Sequence, residues 1–410
     1  MSLARASAVV AAPSPDLRRA TRAVYATFIL NGAAFATWAS RIPQFRDDLD
    51  VTTAQLGLVL LSAAVGSLLA LPLSGMVVDR LGARRTIVAM SLLLCAGLAG
   101  AGVGATIGAA VVAVGLFMVG LGNAMWDVAM NVEGAQVEKL LGKAIMPRFH
   151  AGFSVGTVAG ALTGVAMVSG HVGILPHLIG TAVVIACCAP VAVRGFLPVE
   201  PRPHRAATRA AGKRQLAAWT EPRTILIGVL VLCFAFSEGT GNDWLNVALI
   251  DGYHAPAAVG SLAFAVFVTA MTAGRWFGPA LLDRYGRVRV LRATASLALL
   301  GLLLVVFSGV TAVVVAGSIA WGAGVSLGFP VGMSAAADEP AYAPARVSTA
   351  ASIGYTAFLT GPPLIGFLGE QIGVRDALLV VVGMLTVAIT IAGWCAPLTA
   401  AEPVGADRAT

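Results

Sequence analysis

Charge is scarce in this sequence. Asp, Glu, Lys and Arg make up 11% of its 410 residues, where a water-soluble domain carries about 25%. So little charge cannot coat a soluble globule, so lipid must be the solvent for most of the surface. Cysteine is scarce as well. The five cysteines, Cys95, Cys187, Cys188, Cys233 and Cys395, all sit in apolar runs, and no C-x-x-C occurs. An odd number without that spacing argues against a disulfide framework or a zinc site. The signatures of soluble catalysis are missing too: there is no H-E-x-x-H, no Walker lysine loop and no G-x-S-x-G. We read no enzyme, no cofactor and no metal. The first twenty residues hold Arg5, Pro13 and Pro15 around a short alanine-valine run. That run is too short for a signal peptide, and it reads as a loose tail.

What is present is apolar and small. The hydrophobic fraction is 58% and the mean hydropathy +0.86. A spanning helix needs about 20 apolar residues at ~1.5 Å each, so the chain has room for about twelve. Its 47 glycines suit helices that approach closely in a membrane. The apolar runs predict an all-α membrane protein with twelve transmembrane helices. Helices 1 to 6 cover 22–42, 53–78, 86–103, 107–132, 149–169 and 174–193. Helices 7 to 12 cover 223–250, 257–282, 290–308, 312–335, 347–370 and 377–396. Thr52 and Gln55 form a candidate capping box for helix 2. Residues 194–222 are rich in Arg, Pro and Ala without an apolar period, and read as a mobile basic linker. The expected layout is a tail at 1–21, a six-helix bundle at 22–193, the linker at 194–222, a second bundle at 223–397 and a tail at 398–410.

The net charge of +7 does not point to nucleic acid, because the positive charge lies in alternate loops. With both termini and the linker on one side, the segments there hold 23 lysines and arginines against 2, Arg46 and Arg375, on the other. Positive loops stay cytoplasmic, so the expectation is a multi-pass inner-membrane protein with both termini inside. The loop after helix 1 is acidic, with Asp47, Asp48 and Asp50.

A charged hairpin occurs twice. Asp79-Arg80-Leu81-Gly82, with Arg84 close behind, returns 204 residues later as Asp283-Arg284-Tyr285-Gly286. Trp38 and Trp244 repeat at 206, and Ser154-Val155-Gly156 matches Ser352-Ile353-Gly354 at 198. Half-chain spacing indicates two related bundles. Each hairpin lies between spanning-length runs, and resembles the signature loop between helices 2 and 3, and 8 and 9, of the major facilitator superfamily of transporters. The second hairpin departs slightly, with Gly278 five residues before the aspartate rather than four. The resemblance covers nearly the whole chain. It implies a pseudo-two-fold axis along the membrane normal and a central cavity lined mainly by helices 1, 4, 7 and 10.

Polar groups inside the apolar runs carry the functional reading, since an intramembrane ionisable residue usually faces a bundle interior or a wet cavity. Asn123, Asp127 and Asn131 recur every four residues on helix 4 and form one stripe, either a cavity wall or a helix–helix seam. Helix 7 holds Glu238, Asn242, Asp243 and Trp244 around Gly239 and Gly241, which predicts a kinked or unwound section. Helix 1 offers Asn31, Trp38 and Arg41. On helix 11, Tyr355 reaches for the cavity and the Pro362-Pro363 pair bends the helix. Arg275 on helix 8 snorkels to the inner surface. The strings Trp38 to Pro43, Trp126 to Asn131, Glu238 to Trp244 and Gly354 to Pro363 resemble the MosC-like group, whose namesake is associated with rhizopine, an amino-inositol derivative. Helix 5 lacks the Gly-Pro pair of antiporters, which argues against drug–proton antiport.

The expectation is a monomeric secondary transporter for a small sugar-, polyol- or amino-inositol-like solute, working by alternating access with protons as a plausible coupling ion. An efflux carrier for amphipathic compounds, and a non-transporting sensor on the same fold, are the alternatives. Asn31, Trp38, Asn123, Asp127, Asn131, Glu238, Asn242, Trp244 and Tyr355 are the expected substrate contacts, with Asp127 and Glu238 as the proton sites. Asp79, Arg80, Arg84, Asp283 and Arg284 are expected to latch the cytoplasmic side, and an Arg41–Asp243 pair the outer side.

Overall fold

A serine followed by a proline starts the first helix. Ser14 Oγ accepts from the Leu17 amide at 3.2 Å, and Pro15 opens α1 (Pro15–Ala39), where a missing N–H does no harm. The helix therefore starts seven residues ahead of the expected 22. The computed structural model describes residues 14–142, 145–198, 216–339 and 342–398. Most of the expected tails and linker lies outside the described residues.

The first difference from expectation follows Ala39. The predicted helix 1 ran to 42, and an acidic loop was to follow. Instead a break at Ser40 and Arg41 is followed by α2 (Ile42–Leu49), with Pro43 in its first turn and Asp50 left-handed at φ 50°. Pro43 cannot donate a helical hydrogen bond and disfavours helix at the residue before it, so the chain restarts in a new direction. The capping box forms as read: Gln55 N donates to Thr52 Oγ1 at 3.3 Å, and Thr52 N to Gln55 Oε1 at 2.9 Å.

It opens α3 (Thr53–Ile107), whose 55 residues include one non-helical position, Gly82, at φ 79° and ψ 156°. A straight helix of that length would run about 80 Å, far beyond a ~30 Å hydrocarbon core. Gly82 folds it into two crossings. Then come α4 (Ala109–Leu141), α5 (Met146–Ser169), α6 (Ile174–Ala192), α7 (Pro222–Tyr253) and α8 (Ala257–Tyr285). Gly286, at φ 78° and ψ 159°, separates α8 from α9 (Arg287–Phe307). The two hairpin glycines thus share one backbone conformation, open to glycine and strained for other residues. Gly82→Ala or Gly286→Ala is expected to destabilise the fold by ~1–3 kcal/mol. The check is a lowered Tm of detergent-solubilised protein, and an unchanged Tm would show that the turn can relax.

The predicted helix 10 is divided into α10 (Thr311–Val325) and α11 (Gly328–Ala336). Pro330 has no N–H to offer the Ser326 carbonyl four residues back, and Arg275 Nε of α8 donates to that carbonyl at 3.4 Å instead. The predicted helix 11 is α12 (Ala343–Ile372), one helix through Pro362 and Pro363. The predicted helix 12 is a short turn, α13 (Val374–Ala377), followed by α14 (Leu379–Ile391).

Among the described residues, ten helices are long and apolar enough to cross a membrane. Counting α3 twice and adding α1 gives twelve crossings. α1 is the least apolar because it buries Thr27, Asn31 and Thr37. The outer surface exposes Leu69, Ile107, Val114, Phe277 and Phe307, as a lipid-facing wall requires. Twelve crossings put Ser14 and Leu398, the first and last described residues, on one side, the tail side; α2 lies on the far side. Glycine sets the packing: a Cβ at Gly32 or Gly156 would fall on α5 or α1 backbone, and one at Gly66 or Gly120 on α4 or α3 backbone. Between the halves, Gly57 of α3 lies against Pro362 of α12.

Candidate functional site

Both halves contribute to one cavity of about 290 Å³. From the first half it takes Trp38, Asn123 and Asp127. From the second it takes Asn242, Asp243 and Tyr355. The wall between them is apolar, with Phe35 of α1, Leu68 and Leu71 of α3, and Phe358 and Leu359 of α12. The lining helices are α1, the first crossing of α3, α4, α7 and α12. No residue of predicted helix 10 is among the lining residues. Trp321 of α10 is fully buried, donates Nε1–H to Ser237 Oγ of α7 at 2.8 Å, and stacks edge-on against Phe267 at 5.3 Å.

The polar stripe of α4 is present. Asn131 Nδ2 donates to the Asp127 carbonyl at 2.9 Å and to its Oδ1 at 3.3 Å. Asn131 thus positions the carboxylate without lining the cavity. Asn123 Oδ1 and Asn242 Oδ1 are buried without a hydrogen-bond partner. No Lys, Arg or His is among the lining residues. The cavity therefore presents two carboxyl groups, Asp127 and Asp243, with the side chains of Asn123 and Asn242 beside them and no basic side chain, while the two buried amide oxygens stay unpaired behind its surface, which is costly.

Glu238 does not share this cavity. Arg275 Nη2 binds both its oxygens, at 2.8 and 2.9 Å, so the residue read as a free proton site is half of an ion pair. Its place in the cavity is taken by Asp243, five residues on and on a different face of α7. The expected unwinding of α7 is absent: it is one helix from Pro222 to Tyr253. Its glycines serve packing, with Phe267 against Gly241 and Phe358 near Gly239. The sequence held a usable signal here. Arg275 and Glu238 are each without a partner in their own helix, and opposite charges on consecutive buried helices tend to pair.

Two other expected contacts lie elsewhere. Asn31 is fully buried with neither amide atom bonded, and Trp244 is fully buried in the core. Trp38 and Tyr355 do reach the cavity. The expected Arg41–Asp243 pair is not formed. Because α1 stops at Ala39, Arg41 turns towards the α5–α6 connection, where Nη2 donates to the Val172 carbonyl at 2.5 Å, while Asp243 faces the cavity.

The polar links between the halves come from neighbouring residues. Arg46 of α2 pairs with Asp251 of α7. Asn246 Nδ2 donates to the Ser40 carbonyl at 3.3 Å, and the Ala54 amide to Glu370 Oε2 at 3.3 Å. All three lie on the far side and join the halves there. On the tail side Asp79, Arg80, Arg84, Asp283 and Arg284 are exposed, and among the described residues none of them forms an ion pair. Arg284 lies over the Tyr285 ring at 5.2 Å. The Arg46–Asp251 pair is half-solvated, so it is worth about 1 kcal/mol, near a fivefold population change. Arg46→Ala and Asp251→Ala are each expected to shift the protein towards a far-side-open state by that factor. The readout is the spin-label distance between the far-side ends of α1 and α7. The double variant should add little, and strictly additive shifts would show that the pair does not act as a unit.

The fold agrees with what the chain is similar to. The family model described as Major Facilitator Superfamily matches residues 24–340 and 231–409. An uncharacterized transporter, y4wD, of Sinorhizobium fredii is 32% identical over 355 residues, 86% of this chain and 92% of that protein. Membrane protein MosC of Rhizobium meliloti is 27% identical over 374 residues, 90% of this chain and 89% of MosC. The crystal structure of the nucleoside transporter NupG superposes with a TM-score of 0.72 at 14% identity, covering 93% of this chain and 99% of NupG. With its twelve crossings, its paired glycine hairpins and a cavity shared between halves, this chain belongs to the major facilitator superfamily of membrane transporters.

Proposed function

We propose that the protein carries a small polyhydroxylated solute bearing a protonated amine across the inner membrane, by alternating access and in exchange for protons. The observation that carries this reading is the cavity chemistry: Asp127 and Asp243, one from each half, line it with Asn123 and Asn242 and face no cation. A solute with N–H and O–H donors satisfies the two carboxyl groups, and an ammonium adds charge-assisted bonds of roughly twice the ordinary strength. Trp38 and Phe358 offer ring faces to the same cation. Either carboxylate can hold a proton or the solute's ammonium, and this competition couples the two. The similarity to MosC fits an aminated polyol. The lysine and arginine bias supports a cytoplasmic tail side, and the far-side links between the halves then favour an inward-facing structure, with a single copy sufficient for transport. The exposed hairpins of Asp79 and Asp283 are then latches released in this state.

The apolar wall of Phe35, Leu68, Leu71 and Leu359 favours a second reading, an amphipathic organic cation. A thermal-shift screen of the purified protein separates the two, since a ligand that binds only the folded state raises its Tm. Aminated polyols and amino sugars should stabilise it, and the matching neutral polyols should do so weakly. Stabilisation by lipophilic cations alone would select the second reading, and stabilisation by neutral or anionic sugars alone would overturn both.

A further inference from the structure

A second buried polar site lies outside the transport cavity. Arg41 is 2% exposed and His177, in the first turn of α6, is 4% exposed. The guanidinium uses one nitrogen, Nη2, on the Val172 carbonyl. Its Nε and Nη1 have no hydrogen-bond partner, and neither ring nitrogen of His177 has one. Val172 stands five residues before His177, so the hydrogen bond brings the guanidinium to the turn that starts α6. The two side chains are within electrostatic reach of each other. The one carboxylate that acts on Arg41, Asp48 of α2, is exposed and forms no ion pair with it. Gln44, in the first turn of α2, also has a buried side-chain amide with no partner.

Buried charges in proteins are paired or fully hydrogen-bonded. Here a guanidinium with free N–H groups is buried beside an imidazole, with no anionic side chain bonded to it. The group that completes such a site accepts hydrogen bonds, carries negative charge and is small, because the donors sit among packed side chains. We propose that Arg41 and His177 form a binding site for a small inorganic anion of halide size, held by Arg41 Nε and Nη1, the His177 ring N–H and the Gln44 amide. The site is separate from the acidic cavity, whose carboxylates would repel an anion. It lies where α1 turns into α2, beside the segment that carries Ser40 and Arg46 to the other half, and the bound anion fixes that corner.

The test uses full-length protein in detergent, with sodium chloride exchanged for sodium gluconate at constant ionic strength. Chloride should raise the Tm of the unaltered protein by several degrees, saturably. Bromide should do the same and give an anomalous diffraction peak between Arg41 and His177. Arg41→Gln and His177→Phe should each lose most of the chloride-dependent shift, and Arg375→Gln, on the far side but away from the site, should keep it. If Arg41→Gln does not fold, His177→Phe and the bromide peak decide the matter. A Tm indifferent to chloride in the unaltered protein, with no bromide peak, would mean that water or an inward-turned Asp48 completes the site and would overturn the proposal. An undiminished chloride shift in His177→Phe, with bromide bound elsewhere, would overturn it as well.

Discussion

Asp243→Asn is expected to abolish proton-driven accumulation of solute while leaving the protein folded, and Asp127→Asn is expected to do the same. Asparagine keeps the size of the side chain and removes the charge, so the cavity loses one of the two carboxylates whose competition between proton and ammonium couples them. Losing one charge-assisted hydrogen bond worth ~1.5–3 kcal/mol corresponds to about 10–100-fold in apparent affinity. Solute exchange without a proton gradient should survive at raised solute concentration, because alternating access does not itself need the proton. The measurement is uptake into proteoliposomes with and without an imposed pH gradient. Accumulation retained by both variants would remove the two aspartates from the coupling site. Asn131→Ala offers a gentler version, since Asn131 only positions Asp127 through its 2.9 and 3.3 Å bonds. A partial loss is the expected result there.

Breaking the Glu238–Arg275 pair should produce the largest loss of stability. One guanidinium nitrogen, Nη2, donates to both carboxylate oxygens, at 2.8 and 2.9 Å, and the Glu238 and Arg275 side chains are 18% and 30% exposed. Removing one partner of a buried pair costs ~3–5 kcal/mol, because the remaining charge is left uncompensated. Partial solvation puts this pair near ~3 kcal/mol. Arg275 also holds the Ser326 carbonyl that Pro330 leaves free, so Arg275→Met should additionally loosen the joint between α10 and α11. Glu238→Gln should lower the Tm sharply, and Glu238→Gln with Arg275→Met should recover part of the loss. A single Glu238→Gln that folds with an unchanged Tm but loses all coupling would return Glu238 to the role of proton site and contradict the assignment to Asp243.

The contrast between Glu238 and Asp243 shows where sequence reading stops. Both are acidic residues in one apolar helix, and nothing local ranks them. The ranking came from Arg275 on the next helix and from the face that each acid takes on an unbroken α7. Arg41 and Arg46 form a similar case. The sequence reading makes Arg41 the gate because it extends helix 1 unbroken to Ile42. The break before Pro43 turns Arg41 towards α6 and carries Arg46, on α2, to Asp251.

By itself the sequence determined the features that depend on local period, composition and backbone chemistry. Apolar runs of spanning length set the crossings, because backbone polar groups must bond within their own helix in lipid. The repeated Asp-Arg-x-Gly located two turns that only glycine makes comfortably, at Gly82 and Gly286. A four-residue spacing put Asn123, Asp127 and Asn131 on one stripe, because 3.6 residues complete a helical turn. Only the tertiary structure decided which polar groups are free. That depends on how each helix is rotated and on what its neighbours present. The wall expected of predicted helix 10 is supplied by α3 and α12. Arg275 removes Glu238 from it and leaves Asp243 facing Asp127's cavity from the other half. These pairings join residues tens to hundreds of positions apart, and packing selects them, so no window along the chain contains them.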